Sequence, residues 1–149
     1  MYAIIGGSIG GSIVWEMGAL YPNLSKHLIP VGSDWKASDW IIANTFLQKR
    51  ILDNSSKPLE DARIHAMLTY RNPNSFDSRF NRTKNEENNK YNVENWLTHH
   101  GKKLNNRFKL EAYVFMNHLL SRVDITRSLM SFEQIIKKIK SSIHLIAID

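Results

Sequence analysis

An α/β fold is predicted, with about three parallel strands and a large helical insertion. Three observations predict it. A strand-like run, Tyr2-Ala3-Ile4-Ile5, stops at Gly6-Gly7 and gives way after Ser8 to a helix-like run. The chain ends on another buried apolar run, Ile143-His144-Leu145-Ile146-Ala147-Ile148. Between them, residues 34–141 show helical patterns and loops but no convincing strand.

The elements follow in order. Ile13, Val14, Met17 and Leu20 recur at helical spacing, so a helix is predicted over 11–21, stopped by Pro22. Leu28-Ile29-Pro30-Val31 reads as a second strand ending at Gly32-Ser33, although Pro30 argues mildly against a central position. Ser38 or Asp39 caps a helix running to about Leu52. A helix is predicted over 59–70, ended by Asn72-Pro73-Asn74. The polar run 83–92 reads as a mobile loop. Helices follow over 93–104 and 110–123. Ser131 and Gln134 then form a capping box ahead of Ile135, Ile136 and Ile139. The α/β core is assigned to 1–33 plus 142–149 and the helical insertion to 34–141.

Composition narrows the classes. Apolar residues make up 42% and charged residues 23%, which is globular. There is no cysteine, so disulfides, thiolate metal sites and cysteine nucleophiles are excluded. None of the six histidines has zinc-type spacing, and no metal is expected. The apolar start lacks a basic leader and is broken by glycines and Glu16, unlike a signal sequence, and no run is long enough to span a membrane. The net charge of +6 comes from scattered cations with no aromatic-rich binding strand, so solvated helix faces explain it better than nucleic acid.

The segment Gly6-Gly7-Ser8-Ile9-Gly10 has the form G-x-S-x-G. Between a strand and a helix, this pattern is a nucleophile elbow. A serine at so tight a turn is strained, and flanking glycines remove the β-carbons that would clash. Ser8 is therefore the candidate nucleophile. The backbone N–H of Ile9, at the helix N-terminus, is the candidate oxyanion donor. A phosphate loop fits less well, because a Walker loop needs Gly-Lys and no lysine occurs before Lys26. A plain tight turn is the remaining alternative.

From end to end the chain resembles the homoserine O-acetyltransferase family of the α/β-hydrolase superfamily. The resemblance is carried by Ile5–Gly11, Ala19-Leu20-Tyr21-Pro22, Ala62–Arg71 and Ser75–Phe80. Val93–Leu97, Gly101-Lys102-Lys103 with Arg107-Phe108, Arg122-Val123-Asp124 and Ile146–Asp149 carry the rest. Ile9 stands where the family usually has methionine, and only its backbone is needed. The resemblance implies a partial α/β-hydrolase fold with the helical insertion as a lid.

It also implies ping-pong transfer of an acetyl group from acetyl-CoA, a co-substrate rather than a bound cofactor. The acetyl group passes through Ser8 to L-homoserine, in methionine biosynthesis. By the same resemblance Arg63 and Tyr70 line the substrate pocket. They are seven residues apart, two helical turns, so they share one face, and an arginine suits an amino-acid carboxylate. Arg71 is the alternate carboxylate partner.

The family order Ser, Asp, His is not completed here. Asp149 is either the first aspartate of the family's closing pattern or the acid itself, and every histidine precedes it. By the same resemblance, the family's earlier strands and second oxyanion donor are expected to lie outside this stretch. The chain is expected to be the middle of the enzyme, inactive alone. Its setting is expected to be cytoplasmic, with no nucleic-acid or membrane partner, and the complete enzyme is expected to be a homo-oligomer (a dimer). Two other readings remain: an esterase using water as acceptor, and a non-catalytic remnant or subunit that needs a partner chain.

Overall fold

β1, Ala3–Gly7, alternates exposed and half-buried residues along its length. Ile4 turns inward against the core, while Ile5 on the opposite face is 68% exposed. α1, Ile9–Leu20, follows after one residue and leads to β2, His27–Val31. β1 and β2 pair in parallel with Ala3 opposite His27 and Gly7 opposite Val31. β3, Ser142–Ile143, lies parallel on the other side of β2, giving the order β1-β2-β3. This computed structural model describes residues 1–147. The rest of the closing apolar run, Ile148 and Asp149, lies outside the described residues.

β2 is thus central and contains Pro30. The residues of β2 alternate in the neighbour they bond. His27 N–H donates to Tyr2, and Val31 accepts from Ser8. Leu28 and Pro30 instead accept from His144 and Ile146 on the β3 side. Pro30 has no N–H to return to that side. Regular strand pairing therefore stops after Ile143 and resumes as a single bridge between Val31 and Ile146. The predicted closing strand is present, but this missing donor interrupts it.

The chain forms two compact units, Met1–Thr45 with Met116–Asp149, and Phe46–Phe115. In the first, α1 lies against the sheet so closely that a β-carbon on Gly18 would stand 2.4 Å from Leu28 Cδ1. Val14, Trp15, Leu28, Ile125, Ile135 and Ile139 form the core, with Trp35 stacked on Phe132 beside it. α7, Phe132–Lys138, opens on the predicted capping box: Ser131 Oγ accepts from Gln134 N–H and Gln134 Oε1 accepts from Ser131 N–H. Parallel sheets are normally covered on both faces. Here Ile5, Leu145 and Ile146 are each at least half exposed.

The remaining helices are α2, Asp39–Asn54; α3, Pro58–Thr69; α4, Pro73–Phe80; α5, Asn92–Asn105; and α6, Leu110–Ser121. In the second unit α3 and α5 pack antiparallel. The start of α3 meets the end of α5, where a β-carbon on Gly101 would lie 2.9 Å from the Glu60 carbonyl oxygen. Leu59, Ala62, Ala66, Met67 and Leu104 are buried.

α4 differs from the sequence reading, which took Asn72-Pro73-Asn74 as a helix stop. The same residues start a helix. Asn72 caps it by accepting from Asn74 N–H, and Pro73 fills the first turn, where no N–H is needed. The run 83–92 is a loop, as its polar sequence predicts, and it closes on itself through a bridge between Lys84 and Tyr91. Asn92 N–H donates to Thr83, and Asn85 N–H donates to Lys90. Asn85 Oδ1 accepts from the N–H groups of Glu87 and Asn88. Asparagines suit such turns because their side chains bond nearby backbone.

Candidate active site

Ser8 is the only residue between β1 and α1, and the chain reverses through it. Its backbone is at φ 52° and ψ −125°, which L-residues rarely adopt. Its N–H donates to Val31, and its carbonyl accepts from Gly11 and Ser12, so both neighbours hold the turn. Its side chain makes no capping hydrogen bond and the residue is exposed. The hydroxyl is therefore held outward and not consumed by the helix end. Ile9 is the first helical residue, so its N–H has no intrahelical acceptor. It stands next to Ser8 at the positive end of the helix dipole.

The glycines divide their work differently from the motif. A β-carbon on Gly6 would lie 2.3 Å from the Gly10 carbonyl oxygen, so Gly6 must be bare. Gly10 itself faces open space. The second tight position is Gly11, outside G-x-S-x-G, where a β-carbon would lie 2.2 Å from Ser33 Oγ and 2.9 Å from the Gly6 carbonyl oxygen. Ser33 Oγ is buried without a partner. The loop after β2 is thus seated against the first turn of α1. The doubled Gly10-Gly11 was the available signal for this contact.

The histidines do not complete the site. His27 Nδ1 in β2 and His144 Nε2, just after β3, are 3.0 Å apart. They stand at the entry edge of the sheet, since His27 pairs with Ala3 and Ser142. Ser8 is at the exit edge beside Val31, about 13 Å away along four strand residues. His65 Nδ1 bonds Gln48 Nε2 in the second unit, and His100 packs on Trp96 with ring centres 4.4 Å apart. No histidine ring is hydrogen-bonded to Ser8 Oγ among the described residues. Asp149, the alternative acid, lies outside them. Among the described residues no group of three or more metal-ligating side chains forms, and no helix is long and apolar enough to cross a membrane.

Arg63 and Tyr70 come together as their spacing implies: the Arg63 guanidinium lies 5.6 Å from the centre of the Tyr70 ring. Arg63 projects from α3, and Tyr70 is the residue that ends it. Both belong to the second unit, and Ser8 belongs to the first. Sequence reasoning missed Tyr113 of α6. Burial, and then the neighbouring Tyr70, push its phenol up to about 12, against a smaller downward pull from Arg63. It is a proton donor at neutral pH. Arg71 turns instead to Trp96, 5.4 Å from its ring centre.

No family model matches the chain. Curated relatives do. The homoserine O-acetyltransferase of Chlorobaculum tepidum is 30% identical over 98% of this chain and 45% of its own length. The homoserine O-acetyltransferase of Chloroherpeton thalassium is 31% identical over 98% of this chain and 42% of its own length. The chain therefore spans a little under half the length of these relatives. Among solved structures, homoserine O-acetyltransferase from Staphylococcus aureus superposes with a TM-score of 0.79 at 23% identity, covering 97% of this chain and 42% of that one. The acetyl esterase MekB superposes at 0.74 with 15% identity, covering 95% of this chain and 44% of that one. These structures share an α/β-hydrolase fold, and over nearly its whole length the chain is similar to one part of the homoserine O-acetyltransferases.

Proposed function

We propose that the chain carries the nucleophile and the acceptor-binding residues of a homoserine O-acetyltransferase. The observation that supports this most is Ser8: a strained turn residue with a free hydroxyl beside an unpaired helix N–H. Ser8 Oγ attacks the thioester carbon of acetyl-CoA and gives up its proton to a general base. The Ile9 N–H bonds the oxygen that becomes negative, the carbon–sulfur bond breaks, and CoA leaves as the protonated thiol. The hydroxyl of L-homoserine then attacks the acetyl-Ser8 carbon. Its proton goes to the base, and Ser8 Oγ recovers one as O-acetyl-L-homoserine departs. Arg63 holds the homoserine carboxylate, and Tyr70 keeps the guanidinium in place.

The base is a histidine oriented by an acid, and neither is bonded to Ser8 among the described residues. The complete activity belongs to a cytoplasmic homo-oligomer supplying the amino-acid precursor of methionine.

A chimera tests this. The matching part of the Chlorobaculum tepidum relative is replaced by this chain, and homoserine-dependent release of CoA is measured. Activity should be retained and should be abolished by Ser8→Ala, and Arg63→Ala should raise the homoserine KM. The esterase reading is favoured instead if CoA-independent ester hydrolysis survives while homoserine has no effect on rate. A chimera that folds but shows neither activity overturns both readings.

A further inference from the structure

Two histidines 117 residues apart in sequence meet on one face of the sheet in the first unit. Leu28 of β2 pairs with Ile143 of β3, and both turn toward the core. Their chain neighbours His27 and His144 therefore stand on the opposite face. The same face carries Ile29 and its exposed partner Ile5.

The pair is held from several sides. On the β1 side the Tyr2 ring lies 5.1 Å from the His27 ring, and on the β3 side the His144 ring is also 5.1 Å away. The His144 backbone N–H donates to the Leu28 carbonyl, which fixes His144 beside β2. His27 Nδ1 and His144 Nε2 face each other at 3.0 Å, and the pair is exposed. In the bare chain one of these nitrogens carries a proton and donates to the other. With each proton on the far nitrogen of its own ring, two lone pairs aim at one point. Neutral imidazole is the commonest metal ligand among side chains.

The separation selects a class of cation. Nitrogens bound about 2.0–2.1 Å from a metal are about 2.9 Å apart at a right angle and about 3.3 Å apart at the tetrahedral angle. The 3.0 Å found here is close to the right angle. Right angles between nitrogens belong to the square-planar or tetragonal sites of Cu(II) and Ni(II), whereas zinc favours the tetrahedral one. Magnesium and calcium take oxygen instead. Two ligands do not close a coordination set, so water fills the remaining positions and the cation exchanges freely.

We propose that His27 and His144 together bind one Cu(II)- or Ni(II)-class cation, which clasps the segment after β3 to β2. The clasp adjoins the gap at Pro30, where isolated hydrogen bonds hold the chain beyond Ile143. A cation that binds only while the two strands are together stabilises their pairing by mass action. Neither histidine has zinc-type spacing to another ligand in sequence, so the site arises only when β2 and β3 pair. It lies about 13 Å along the strands from Ser8 and does not depend on the acyl-transfer reading.

Cu(II), Ni(II) and Mg(II), titrated separately into the chain by calorimetry, test the proposal, with deuterium exchange read at the amides of His144 and Ile146. Cu(II) should fill one tight site and bind more strongly than Ni(II), and Mg(II) should not bind. Exchange at both amides should slow when Cu(II) or Ni(II) is bound. His27→Gln and His144→Gln should each weaken Cu(II) binding by about tenfold or more, because losing even a group that only orients a ligand costs that much. His99→Gln, which changes the adjacent histidines whose ring centres are 5.5 Å apart, should leave the tight site unchanged. Pulsed electron paramagnetic resonance of the Cu(II) form should show two coordinating imidazoles. A single imidazole, unchanged exchange at His144 and Ile146, or Cu(II) binding that a folded His144→Gln variant does not weaken overturns the clasp. The resonance measurement uses the unaltered chain, so it decides the matter even if a substitution prevents folding.

Discussion

The α-carbon of Gly6 faces the carbonyl oxygen of Gly10, so that a methyl group on Gly6 would stop 2.3 Å from it. That oxygen is backbone and cannot swing aside. Gly6→Ala should therefore destabilise the chain by about 2–3 kcal/mol, measured in urea melts. Gly10→Ala meets open space in a helix and should be neutral or stabilising by up to about 1 kcal/mol. Equal losses at the two positions would mean that the close approach at Gly6 is not what shapes the turn.

Ser8 holds a conformation that glycine adopts freely. Ser8→Gly should relieve strain and raise stability by about 1 kcal/mol, while removing all acetylation in the chimera. A clear loss of stability in this variant would show that the turn is not strained.

Tyr113 keeps its proton well above the ordinary range of a phenol near 10. The unfolded chain loses that proton first, so its folded form should lose stability as pH rises from about 10 to 12. Tyr113→Phe should lack that part of the slope and should lose the last phase of the tyrosine absorbance titration. An unchanged titration would place Tyr113 in contact with solvent.

Asp124 accepts from the Thr126 hydroxyl and N–H, and pairs with Lys36 at 3.2 Å. The hydrogen bonds from Thr126 first, and then Lys36, hold its carboxyl below the usual range. The contribution is present above the unfolded carboxylate range near 4 and is lost as pH falls through the lower folded value. Asp124→Asn should cost about 1 kcal/mol at pH 7 and close to nothing at pH 2. A cost independent of pH would assign it to packing.

What the sequence made legible was local chemistry. The β1–α1 turn is punctuated by glycines and one serine, and the capping box at Ser131 needs only residues three apart. That Arg63 and Tyr70 share a face follows from helical spacing, while their role is what the resemblance implies. The α4 start was misread because Asn-Pro is both a stop for the helix before it and a cap for the helix after it. Gly11 with Ser33, and the burial of Tyr113, come from segments distant in sequence meeting. No periodicity records such contacts, because they exist only once the elements pack.

Pro30 has a dynamic consequence. A central strand usually exchanges its amide protons slowly along its whole length, because each opening breaks several bonds at once. Here the β2–β3 ladder has a gap halfway, so the segment from His144 onward is latched by isolated bonds from His144, Gly32 and Ile146. The sheet should peel from this side. In deuterium, the amides of His144 and Ile146 should exchange before those of β1, and the last strand of the chain would be the first to open.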